Sequence, residues 1–269
     1  MKIYKIVDEF MGTVPIAYLC YYEKSRSFSI EISPEISAND LPIFFAGFAS
    51  GNVMSIDLEW SKRWVKERIV PEDRQNLGSI LRDNKIKDYD LMKLLETARG
   101  RSSQDDCAIL PADLETMPLW FAERQSRKVR SVFPLTGNRI MISFHDGKSF
   151  IMDLTERIAE DRSFKTLEKN KDLFDSVSVQ PGGNGVCWND WLYISACELY
   201  GEGKRIEISA DEIRSMIERE AVDTQAVCAE LSCSRQYVDK LVRDGKLEAI
   251  QGEGKARLYF RSDVERLKW

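Results

Sequence analysis

Over residues 1–33 apolar side chains recur at every second position in three runs, KIYKIVDEF, VPIAYLCYYE and SFSIEI, interrupted at Met11-Gly12 and at Lys24-Ser25-Arg26-Ser27. That alternation predicts a small antiparallel meander. From ANDLPIFFAGFASG onward the pattern turns helical. Trp60, Trp64, Val65 and Arg68 fall at helical spacing up to Pro71, and PEDRQNLGSILRDN starts another helix with Leu77, Ile80 and Leu81 on one face. DYDLMKLLETARG predicts a third, with Asp88 as its cap and Gly100 as its stop. The stretch RSSQDDCAILPADLETMPLWFAERQSRKVR reads as a mixed connector with one short helix, and its end carries the basic run Arg124, Arg127, Lys128 and Arg130.

Period-two alternation returns at Val129. VRSVFPL, RIMISF and SFIMDL predict three strands, the last two joined through His145-Asp146-Gly147-Lys148, whose Asp-Gly pair is a hairpin signal. A helical stretch with Phe164, Leu167, Leu173 and Phe174 follows. Two further strands are expected, SVSVQ and VCWNDWLYIS, with Gly182-Gly183-Asn184-Gly185 turning the chain between them.

The C-terminal part begins with a helix over SADEIRSMIEREA, capped at Ser209 with Asp211 and Glu212 in its first turn. Asp223 or Thr224 can cap a helix through Leu231, Ser232-Cys233 forms a tight turn, and Ser234 caps a second helix. In that helix Val238, Leu241 and Val242 make the inward stripe, while Arg235, Gln236, Asp239, Lys240 and Arg243 point outward. Asp244-Gly245 ends it. KLEAI and KARLYF then form a hairpin around Gln251-Gly252-Glu253-Gly254, and RSDVERLKW is a last helix capped by Ser262. Helix, turn, helix, hairpin wing, helix is the layout of a winged helix-turn-helix.

Composition narrows the partners. The 269 residues, 43% hydrophobic, suffice for one large domain or two to three small ones. A formal charge of -5 argues against a chain coated in basic surface, so nucleic-acid binding has to come from a local patch. No run of apolar residues is long enough to span a bilayer and the N-terminus lacks a cleavable leader pattern, so a cytoplasmic chain without membrane contact is expected. The six cysteines (Cys20, Cys107, Cys187, Cys197, Cys228, Cys233) show no C-x-x-C spacing and read as reduced, mostly buried thiols. One histidine, His145, cannot build a His-rich metal site.

Three resemblances follow from these stretches. The Asp146-Gly147 turn, Asp153-Leu154, Phe174, Val179, Trp188 and Leu199-Tyr200, spread over residues 129–203, resemble the small bacterial domain-of-unknown-function 2442 family. That resemblance implies no activity, but it carries the expectation of a neighbouring DNA-binding helix-turn-helix. WVKERIVPEDRQNLGSILRDN with DYDLMKLLETARGRSSQDD is similar to the N-terminal subdomain of HipA-type toxin kinases, without the kinase body, and no kinase residue transfers. SRQYVDKLVRDGKL, the wing glycine and LYFRSDVERL, within residues 221–269, resemble the MerR-like and excisionase-like winged DNA-binding domains. The chain stops at Trp269, where MerR regulators continue into a dimerising helix. The resemblance therefore implies another dimerisation surface, or monomeric binding as in excisionases.

The fold expected is α+β and multidomain: an α+β domain over residues 1–125, a second over 129–203, and a linker helix with a winged helix-turn-helix over 209–269. The recognition helix would present Ser234, Arg235, Gln236, Tyr237, Lys240 and Arg243 to base edges and phosphates, and the wing would add Lys255 and Arg257. From Asp223 to Trp269 nine basic residues face eight acidic ones, so a near-neutral domain of modest affinity is expected unless the protein dimerises. The function expected is sequence-specific binding of double-stranded DNA, as a bacterial transcription regulator or an excisionase-like recombination factor, with the upstream domains serving oligomerisation or partner binding. The alternative is a toxin-antitoxin or phage-derived interaction protein in which DNA binding is auxiliary.

Other chemistry is read more plainly. His145 beside Asp146 is taken as a turn residue rather than an acid-base pair. Asp105-Asp106 and Glu72-Asp73 are taken as solvated or helix-initial charges rather than a metal site. Trp60, Trp64, Trp188 and Trp191 are read as core, an exposed pair being a sign of a partner site. Lys62, Arg63, Lys66 and Arg68 beside Arg74 form either a phosphate-binding patch or a solvated helix face interleaved with Glu67. No nucleophile-base pair, phosphate loop or ligand cluster is present, so no enzymatic activity, metal or cofactor is expected.

Overall fold

β1 (Lys2–Asp8), β2 (Pro15–Tyr22) and β3 (Ser27–Ile32) form the expected antiparallel meander, with β2 and β3 buried along nearly their whole length and not at alternate positions, in a computed structural model that describes residues 1–202, 210–251 and 257–269. The chain divides into two compact units, Met1–Ala122 and Glu123–Trp269. Both mix helices with small antiparallel sheets, so the architecture is α+β.

In the first unit the meander is widened by two strands that the alternation did not predict. Ser55–Ile56 (β4) adds beside β3, and Cys107–Ala112 (β5), inside the stretch read as a connector, pairs along β1, giving the order β4-β3-β2-β1-β5. β5 breaks the period because Cys107, Ala108 and Ile109 are all buried, so its first half is apolar on both faces. The helices α1 (Ile43–Ser50), α2 (Leu58–Lys66), α3 (Leu77–Asp83) and α4 (Leu91–Ala98) follow the meander as expected. Phe45 of α1, Trp64 and Val65 of α2, and Met92 and Leu95 of α4 join Ile6, Leu19, Phe28 and Ile30 in one apolar cluster. α4 is capped by Asp90, which accepts from the Lys93 amide at 3.0 Å, and not by Asp88. On another side of β2, Tyr18 packs on Trp120 and Phe121 at the start of α5 (Leu119–Ser126).

Two charged residues depart from the sequence reading. Arg68 is no surface cation. It is buried over the Trp64 ring, donates to the Trp64 carbonyl at 3.2 Å, and forms an ion pair with Asp105. Asp105 in turn accepts from the Cys107 amide at 3.1 Å, so the pair fastens the start of β5 to the end of α2. Burial first, and the Asp105 charge second, push the Cys107 thiol up to about 12, so it stays protonated.

The second unit opens with the predicted sheet β6 (Val129–Pro134), β7 (Arg139–Phe144) and β8 (Ser149–Asp153), joined by the Asp-Gly hairpin. Three short helices, α6 (Thr155–Glu160), α7 (Lys165–Lys169) and α8 (Lys171–Asp175), lead to β9 (Ser178–Val179) and β10 (Gly185–Cys187). VCWNDWLYIS is not one strand. It folds back on itself as β10 and β11 (Tyr193–Ser195), because the Asn189 side chain accepts from the amides of Trp191 and Leu192 at 3.0 and 2.9 Å and closes a turn between them. Trp188 is buried and donates to the Phe174 carbonyl at 3.0 Å, whereas Trp191 stands 84% exposed at the tip of that turn. Of the other tryptophans read as core, Trp64 is buried and Trp60 is 41% exposed. Gly183 has φ +69° beside Val129, where an added Cβ would lie 2.4 Å from the Val129 carbonyl oxygen, so only glycine fits.

α9 (Ala196–Glu202) and α10 (Ala210–Glu220) follow; Ser209, the expected cap of α10, lies outside the described residues. The remaining elements are β12 (Ala221–Asp223), α11 (Thr224–Glu230), α12 (Arg235–Arg243), β13 (Ala249–Gln251), β14 (Leu258–Phe260) and α13 (Arg261–Arg266). β12, absent from the sequence reading, pairs with β14 so that the hairpin becomes a sheet of order β12-β14-β13. At three residues it is too short to show a period.

α10 ties the elements that follow it to the rest of the unit. Glu212 is buried, accepting from Arg139 of β7 and from the Thr136 hydroxyl at 3.2 Å, and Arg219 reaches Asp175 at 2.9 Å. Trp269 packs against the cluster built from β7, β8 and α9. The cap of α13 is also a correction. Ser262 sits inside the helix, and both its amide (2.8 Å) and its hydroxyl (2.5 Å) donate to the buried Glu220 carboxylate. All six cysteines are free thiols; Cys20 and Cys107 are buried and Cys197 is exposed. Among the described residues no helix is long and apolar enough to cross a membrane.

Candidate nucleic-acid interface

The turn between α11 and α12 determines which side chains α12 can present. Asp223 caps α11 by accepting from the Ala226 amide at 2.7 Å. The chain then leaves α11 through Ser232, at φ 49°, and Ser234 caps α12 by accepting from the Tyr237 amide at 3.3 Å. Val238 and Leu241 are buried with Val222, Val227, Leu247, Tyr259 and Val264, and Val242 packs at the edge of the same cluster. These contacts fix the rotation of α12 about its axis. The opposite face, Arg235, Gln236, Tyr237, Lys240 and Arg243, is exposed, as is Ser234 at its head. Gly245 at φ +67° stops the helix.

Exposed long donors in the first turn of a helix, with the amide ends pointing outward, suit base edges and phosphates. Arg235, Lys240 and Arg243 have no ion-pair partner among the described residues. Arg257 is different: its guanidinium donates to Asp239 of α12 at 3.0 Å, so the strand after the hairpin turn is braced against the helix. Arg257 thus enters any phosphate contact already shared with a carboxylate. Nothing in the sequence pairs residues 239 and 257. Lys255, the other wing cation, lies outside the described residues. At the far end of α11, Glu230 accepts from Arg261 (3.1 Å) and Lys268 (3.3 Å).

The most perturbed carboxylate beside this assembly is Glu220. Burial pushes it up to about 7, against the lowering effect of the two Ser262 donors, with Glu265 and Asp263 adding to the rise. Sequence reasoning missed it, since a glutamate ending a charged helix looks solvated until β12 and α13 close over it.

Residues that carry the middle-segment resemblance converge as well. Tyr200 donates to Asp146 at 2.7 Å, the Phe174 carbonyl holds Trp188, and Leu154, Val179 and Leu199 share one cluster. Residues 129–205 match the family described as protein of unknown function, DUF2442. That stretch is a minor part of the chain, and the match brings no activity with it. No curated protein and no solved structure matches the chain.

Proposed function

We propose that the chain binds double-stranded DNA sequence-specifically, with α12 as the recognition helix and the β13–β14 hairpin as a wing. The carrying observation is the division of α12: Val238 and Leu241 are locked into the core while Arg235, Gln236, Tyr237, Lys240 and Arg243 remain exposed beyond a capped N-terminus. Such an element serves a transcription regulator or an excisionase-like recombination factor in the same way: base-edge donors select sequence, and flanking cations hold the backbone. The near balance of charge from Asp223 to Trp269 favours modest affinity per head, so a homodimer would bind far more tightly.

Selection of a bound sequence from a random duplex library tests the reading. Arg235→Ala with Lys240→Ala should abolish preference for the selected duplex, whereas unchanged binding by that variant rejects α12 as the reader. The alternative, a toxin-antitoxin or phage-derived interaction protein, is favoured by α1, whose run IFFAGFAS leaves Ile43 91% exposed and whose Phe48 packs on the half-exposed Trp60. Stoichiometric co-purification of a partner lost on Ile43→Asp would support it.

A further inference from the structure

The basic run ending the stretch before β6 has no place in the reading head, yet the fold fixes it. The Ser126 and Lys128 carbonyls accept from the amides of Asp146 (2.7 Å) and His145 (3.1 Å), so residues 126–128 are stapled along the β7–β8 turn. That turn is held in its own right. Asp146 accepts from the Lys148 amide at 3.0 Å through one oxygen and from the Tyr200 hydroxyl at 2.7 Å through the other.

Two cations meet Tyr200, Arg127 at its ring and Lys148 at its hydroxyl. The Arg127 guanidinium lies 5.3 Å from the ring centroid and the Lys148 ammonium 5.1 Å, with the Lys148 nitrogen 2.5 Å from the phenol oxygen. Phe144 and Phe150 meet the same ring edge-on and hold it. Arg130, exposed, leaves β6 where the pairing with β7 slips between Val129 and Ser131, a bulge that turns its side chain outward. β6 also packs on α13, and His145 feels the charges of both Arg130 and Arg266, so this cationic edge continues onto the last helix of the reading head. Asp146 is the acidic group built into the edge itself and pairs with Lys148 at 3.3 Å, so Lys148 meets a phosphate already shared with a carboxylate, and Asp263 pairs with Arg266 on α13.

We infer that Arg127, Arg130 and Lys148 form a second DNA-backbone contact, by which the segment matching the unknown-function family, together with Arg127 just ahead of it, grips phosphates beside the site read by α12. This rests on the DNA-binding reading above and names what the middle segment contributes to it. The cations come from a helix end, a strand bulge and a turn, separate backbone positions that suit several phosphates better than one small anion. Seating Arg127 on the Tyr200 ring and Lys148 on its hydroxyl orders them before binding, so less freedom is lost when phosphate arrives.

The test uses the full chain carrying Arg127→Gln, Arg130→Gln and Lys148→Gln, with binding to the selected duplex and to a scrambled duplex of equal length followed by anisotropy. Each phosphate contact makes affinity fall roughly 3.5-fold over a salt step from about 50 to about 200 mM, so three contacts account for about 40-fold of that drop. The variant should therefore bind both duplexes more weakly, by a similar factor, with a salt slope shallower by about two to three and the sequence preference intact. If slope and affinity match the wild type while Arg235→Ala with Lys240→Ala loses preference, the inference falls and the DNA-binding reading stands. If the wild type binds neither duplex, both fall. Arg130→Gln with Lys148→Gln, which leaves the Arg127–Tyr200 stack in place, must lower the slope by about one to two; this guards against a triple variant that fails to fold.

Discussion

Glu220 should make the second unit lose stability as pH rises through neutrality. Its carboxyl is buried where α10 ends, pushed from 4.5 to about 7, with the Ser262 amide and hydroxyl as donors. The folded value lies above the unfolded one, so the folded chain holds this proton more tightly. Its contribution to stability is complete below the unfolded value of 4.5 and is lost as pH climbs past about 7. At 1.36 kcal/mol per pH unit the whole effect is about 3 kcal/mol, of which roughly 2.5 falls between pH 5 and pH 8. Glu220→Gln keeps an oxygen facing Ser262 and removes the ionisation. Urea unfolding of wild type and variant, followed through Trp188, Trp191 and Trp269 fluorescence at both pH values, isolates the term, because every other titrating group cancels in the difference. With a urea slope of about 2 kcal/mol/M, the wild-type midpoint should drop by about 1 M more than the variant's between pH 5 and pH 8. Equal shifts in the two proteins would refute the reasoning.

Other outcomes follow from the same contacts. Arg68→Met strands Asp105 without its partner and should cost the first unit about 3–5 kcal/mol in urea, while Arg68→Met with Asp105→Leu should recover most of it. Gly183→Ala forces a side chain against the Val129 carbonyl at positive φ and should destabilise the second unit by more than about 1 kcal/mol, seen as a lowered Tm. Ser234→Ala removes the α12 cap and should cost about 1 kcal/mol by thermal unfolding, with Ser234→Asp restoring it.

The elements with a clean period, or with a long apolar run bounded by turn residues as in β2, were legible. β1 to β3, β6 to β8, and the pair α11 and α12 with their Asp223 and Ser234 caps lie where alternation, helical spacing and turn chemistry place them. Most of the misses share a cause, a decisive partner distant in sequence. β5 shows no alternation because its first residues are buried on both faces, and it exists through pairing with β1. β4 and β12 are two and three residues long, fixed by β3 and β14. Arg68 looked like one more cation on a charged helix until Asp105 folded back on it. On the candidate interface the outward face of α12 could be read from i, i+3 and i+4 spacing, but not the Arg257–Asp239 pair, which depends on how the hairpin returns. The turn inside VCWNDWLYIS was available in principle: Asn-Asp is turn chemistry, hidden there between strong strand formers.

The central claim, that α12 reads duplex DNA, is tested most directly by selection from a random duplex library with the full chain and with the Arg235→Ala, Lys240→Ala variant, each at two salt concentrations. The account predicts that the wild type enriches one sequence with affinity falling as salt rises, and that the variant, folded to the same Tm, enriches none. Enrichment of the same sequence by both proteins, or binding by neither, would contradict it.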